Sequence, residues 1–185
     1  MKSLTGIRLA ALLLAGGLSQ IANTAEPTAF DLVKEGNRHL GEEAKGRVVQ
    51  IRSEKSVGGL TPNIWFVVYY DPDATAKATE IKFAAGTKVS VKRPARVLEP
   101  ITGAHLELPK EKLKIDSDKA IEIALAHGGK EFLAKNKDAS IRYTLSFDGR
   151  NSILRWIVSM ESANAKARPL TVILNASSGE FLRKG

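Results

Sequence analysis

Three histidines, His39, His105 and His127, are the first places to look for a general base or a metal ligand. They stand in three separate segments without a second histidine at ligand spacing, so surface or helix-end roles are expected of all three. Asp71 and Asp73 alternate in "DPDATAKATE" as calcium ligands do. That loop lacks the further oxygen donors and the central glycine of an EF-hand, and Asp71-Pro72-Asp73 predicts a turn. "GxSxG" is absent, and Ser177 and Ser178 sit in a turn signal with no histidine near them in sequence. The glycine pairs of "VGGL" and "HGGK" lack the spacing of a phosphate-binding loop. With no cysteine in the chain, thiolate catalysis, disulfides and cysteine zinc sites are excluded. These residues predict no catalytic group, no metal and no cofactor.

Binding chemistry is better represented. Trp65 in "NIWFVVYYD" and Trp156 in "ILRWIVSM" are the only tryptophans, and each falls in a strand-like run, where a large aromatic is expected to pack beneath a helix. Tyr69 and Tyr70 are consecutive, so they point to opposite faces of their strand and one must be the more exposed. Arg155 has the parity opposite to Trp156, and Arg142 lies in the preceding run. The outward one of Tyr69 and Tyr70, together with Arg142 and Arg155, is therefore the candidate binding surface, on the side of the sheet away from the core.

The elements that must position them follow from periodicity. Thr28 predicts the start of a helix with Ala29, Leu32, Val33 and Leu40 on one face. Strand patterns follow at "RVVQIRS", "IWFVVYY", "TEIKFAA" and "TKVSVKR". Prolines 94, 100 and 109 break the middle of the chain. Asp116 or Ser117 then caps an amphipathic helix carrying Ala120, Ile121, Ala124 and Leu125, with a stop or break at His127-Gly128-Gly129. "SIRYTLSF", "ILRWIVSM" and "LTVILNA" read as three more strands, the first two joined by a hairpin turn at "DGRNS". Both halves thus present helix, strand, strand, strand. The expected fold is α+β, as two repeats of a helix followed by a three- to four-stranded antiparallel sheet, at 26–93 and 113–185, joined by a linker at 94–112.

The first 25 residues place Lys2 and Arg8 before the uncharged "LAALLLAGGL" and a small, polar stretch, the pattern of a secretory signal peptide cut after Ala22 or Ala25. The apolar run is too short to span a bilayer, so export to the periplasm or medium is expected and membrane association is at most peripheral. The 185 residues carry a formal charge of +8, or +6 without Lys2 and Arg8. The cations are spread rather than clustered with aromatics, so no nucleic-acid partner is expected.

The second half resembles the PepSY family in "IDSDKAIEIALAH", "ILRWIVSM" and "LTVILNASSGEFL", a capped helix, a middle strand with an aromatic, and an apolar strand ending in a Gly-Glu turn. The first half fits that pattern less well, with Gly36 and Gly41 in its helix region. The resemblance implies a non-enzymatic partner of a peptidase outside the cytoplasm, bound or restrained by the domain, and brings no catalytic residues with it. The alternative expectation is a periplasmic carrier of a small ligand or lipid.

Overall fold

The computed structural model describes residues 26–94, 106–149 and 151–185. The expected signal segment, residues 95–105 of the expected linker with His105, and Arg150 lie outside the described residues.

Helix α1 (Ala29–Asn37) starts where Thr28 predicts, in a capping box: the Asp31 N–H donates to Thr28 Oγ1 and the Thr28 N–H to the Asp31 carboxylate, both at 3.4 Å. It stops short of Leu40. Helix α2 (Ser117–Ala124) is capped by Asp116, which accepts from the Ser117 N–H at 2.6 Å. His127 and Gly128 leave helical geometry, Gly128 at φ +112°, and α3 (Lys130–Lys135) follows the kink. The two helical pieces meet at their N-termini: the Ala29 N–H donates to Ser117 Oγ at 3.0 Å and the Phe30 N–H to Asp116 Oδ1 at 3.2 Å. These contacts satisfy N–H groups that the first turn of α1 cannot pair internally. Burial holds the Asp116 carboxyl above its ordinary range, against the pull of its donors Ser117 and Phe30.

Nine strands follow this framework: β1 (Val48–Ser53), β2 (Ser56–Val57), β3 (Ile64–Tyr70), β4 (Ala78–Ala84), β5 (Thr87–Lys92), β6 (Ser140–Asp148), β7 (Ile153–Glu161), β8 (Leu170–Asn175) and β9 (Phe181–Lys184). They form one antiparallel sheet in the order β5-β4-β3-β1-β6-β7-β8-β9, with β2 paired to β6.

This corrects the expected fold. The chain is not two repeats of a helix with its own three- to four-stranded sheet. It is a single nine-stranded sheet served by one short helix and one kinked helical segment of 19 residues. The physical reason lies at β1, which pairs with β3 through one edge and with β6 through the other, Ile51 standing opposite both Val67 and Leu145. Side-chain alternation reports which face of a strand is apolar and says nothing about which neighbour takes each edge.

One face of the sheet carries the helices and a continuous core. Trp65, Tyr143 and Trp156 form a line within it, with ring centroids 5.5 Å and 6.4 Å apart and the second contact edge-to-face. Each indole N–H is satisfied, Trp65 Nε1 donating to Pro62 O at 2.8 Å and Trp156 Nε1 to Ile115 O at 2.7 Å. Both tryptophans are buried, as their strands predict.

The two ends of the sheet share a design. The β4–β5 ladder slips between Lys82 and Phe83, and the β8–β9 ladder between Ile173 and Leu174. Edge strand β5 carries Lys88 and Lys92, and β9 carries Arg183 and Lys184. Irregular ladders and cations on edge strands oppose pairing with another chain.

Candidate binding surface

Tyr69 and Tyr70 divide between the two faces of β3. Tyr69 is fully buried, and its hydroxyl donates to Val33 O of α1 at 3.2 Å. Burial pushes the Tyr69 phenol well above its ordinary pKa, so it stays neutral as a strut between helix and sheet. Tyr70 turns to the outer face, where the Arg47 guanidinium lies over its ring at 4.3 Å while Arg47 Nη2 pairs with Glu107 at 2.7 Å. Arg142 is exposed on the same face. Arg155 also points outward and is half-buried, with Nη1 on Asp148 Oδ2 at 2.7 Å. Arg142 lies opposite Ser159 and Arg155 opposite Ser146, so four residues of β6 separate them, about 13 Å. Three of the four candidates thus share the outer face, though not one contact site, and Tyr69 belongs to the core.

The outer face holds more than parity alone singled out. Strand register places Ser90, Lys82, Phe66, Arg52, Thr144, Ile157, Ile173 and Arg183 in one row across eight strands. At about 4.8 Å per strand, that row is about 34 Å long. Phe66 is its aromatic centre, with the Arg52 guanidinium at 4.3 Å and Lys82 Nζ at 5.3 Å from the ring centroid. Arg52 also pairs with Glu80, and Lys82 with Glu54 at 3.3 Å. Phe66 could have been found from the sequence, since it has the parity opposite to Trp65. Arg52 could not, because its value comes from lying beside Phe66 on a neighbouring strand.

Among the described residues considered first for chemistry, His39, His127, Asp71, Ser177 and Ser178 have structural partners. His39 Nε2 lies 3.2 Å from Glu35 Oε1. His127 Nδ1 lies 2.8 Å from Ile123 O, and its ring stacks on Phe181 at 4.2 Å. Asp71 is buried in its turn, accepting from Thr79 Oγ1 and the Asp73 N–H, with Arg93 Nε at 3.2 Å. Ser177 and Ser178 belong to the turn after β8, where Asn175 Oδ1 accepts from the Ser177 N–H and Ser178 Oγ from the Glu180 N–H. No group of three or more His, Asp or Glu side chains able to hold a metal occurs among the described residues. No helix among them is long and apolar enough to cross a membrane. The arrangement offers ion pairing, guanidinium stacking and hydrogen bonding over a broad surface. No family model, curated protein or solved structure matches the chain.

Proposed function

We propose that the chain is an exported, non-enzymatic binding protein whose partner is an envelope or secreted peptidase, held or restrained on the outer face of the sheet. The observation that carries this reading is the row from Ser90 to Arg183, on the face opposite the helix-covered core, in which Phe66, Ile157 and Ile173 stand among polar and cationic side chains and beside a small buried apolar cluster of Val49, Val68 and Ala78. Such a face suits a protein surface better than a lipid, because its apolar members are interleaved with Lys82, Arg52 and Arg183. The resemblance of the second half to PepSY domains supplies the class of partner.

Crosslinking the protein in its own envelope fraction, followed by identification of what is captured, tests the proposal. A peptidase is expected, and capture should fall at least tenfold when Phe66, Tyr70 and Arg142 are together replaced by alanine. Recovery of no peptidase, with secreted proteolysis unaltered by added protein, ends the restraint reading.

A further inference from the structure

A recess of about 490 Å³ opens on the outer face where the end of the β6–β7 hairpin meets β8 and β9. This volume falls in the range of small-ligand sites. Its polar lining is Asp148, Asn151, Arg155 and Arg183, and its apolar lining Ile153, Ile173 and Leu182. Register builds the recess, with Asp148 opposite Ile153, Arg155 opposite Asn175, and Arg183 opposite Ile173.

The charges in the recess are unequal. Arg155 spends Nη1 on Asp148, while its buried Nε–H has no acceptor among the described residues. Arg183, on the edge strand, has no ion-pair partner among the described residues. Among the described lining residues, two guanidiniums stand against one carboxylate, an excess of one positive charge, beside a buried donor whose lack of an acceptor is itself unfavourable. A planar guanidinium matches a carboxylate through paired N–H donors, and a turn of the Arg155 side chain would bring Nε into that pairing. The single excess charge suits a monoanion, and the Ile153, Ile173 and Leu182 wall suits an aliphatic group attached to it. A polypeptide C-terminus supplies both within one residue.

We propose that this recess binds the C-terminal carboxylate of a polypeptide whose last residue is aliphatic, Arg155 and Arg183 holding the carboxylate and the three aliphatic side chains receiving the terminal side chain. The proposal rests on the outer face being the binding surface and adds which part of a partner docks at this end.

Titrating the methyl-labelled full chain with N-acetyl-leucine, with its C-terminal amide, and with inorganic phosphate tests it. Expected are saturable shifts of the Ile153, Ile173 and Leu182 methyls with the free acid, at least tenfold weaker with the amide, and no competition by phosphate. Arg183→Gln, on an exposed edge, and Arg155→Lys, which keeps the charge but removes the fork, should each weaken binding of the acid at least fivefold. Equal binding of acid and amide, displacement by phosphate, or unchanged binding in Arg183→Gln overturns the proposal. If the acid fails to bind while the alanine variant of Phe66, Tyr70 and Arg142 still loses its peptidase, the recess assignment falls and the binding face stands.

Discussion

Tyr69 and Gly36 are one joint between helix and sheet. A Cβ built on Gly36 would collide with the Tyr69 hydroxyl and lie 3.1 Å from its Cζ, so glycine is needed there because of what lies above β3. Gly36→Ala should therefore destabilise the protein by about 1–3 kcal/mol through overpacking. Tyr69→Phe should cost about 1 kcal/mol by removing the hydrogen bond to Val33. The double variant should be less destabilised than the sum, because phenylalanine removes the atom that the new methyl strikes. A urea-unfolding double-mutant cycle measures that coupling, and strict additivity would count against the joint. Asp71 gives the residue scale a pH signature. Burial alone would raise its carboxyl, but the Thr79 hydroxyl, the Asp73 and Ala74 N–H groups and Arg93 outweigh it and hold the group below its ordinary range. Its folded pKa is depressed, so its contribution is complete above the unfolded value near 3.8 and is lost as pH falls through the folded value. Asp71→Asn should lower stability at pH 6 and flatten the loss of stability below pH 4, as read from urea midpoints at several pH values.

At the scale of elements, the chain announced its pieces more clearly than their neighbours. Thr28 and Asp116 cap helices where their types and positions predict, and the alternation of β6 and β7 places Leu145 and Trp156 inward and Arg155 outward. What could not be read was the pairing of β1 with β6, which joins strands more than 80 residues apart in sequence through backbone groups that every residue carries. Strand β9 was equally hidden, because "FLRK" is too short to show a period. The candidate surface was partly legible for the same reason: parity assigns Tyr70, Arg142 and Arg155 to a face, while the Phe66 and Arg52 contact and the recess need register. His127-Gly128-Gly129 was legible as a helix stop or a break, and the structure has the break, a kink followed by α3. Gly128 sits at φ +112°, where a side chain is strained, so Gly128→Ala should cost about 1–2 kcal/mol and lower the melting temperature. Ala126→Gly, within the same segment, should cost no more than about 1 kcal/mol.

Across the whole molecule, the β1–β6 ladder makes the two halves share one sheet, and Trp65 and Trp156 report on opposite sides of that ladder. Single-tryptophan variants Trp65→Phe and Trp156→Phe should therefore show coincident denaturant transitions, and well-separated midpoints would mean that the halves unfold independently. The ends of the sheet carry a different consequence. With Lys88 and Lys92 on one edge and Arg183 and Lys184 on the other, two copies that approach edge to edge meet like charge with like. That repulsion reaches about 10 Å at 0.1 M salt and only about 3 Å at 1 M. The molecule's colloidal behaviour should thus run opposite to that of an assembly held by ion pairs: it should stay dispersed in dilute buffer and begin to self-associate as salt is added, a trend that light scattering across an ionic-strength series would reveal.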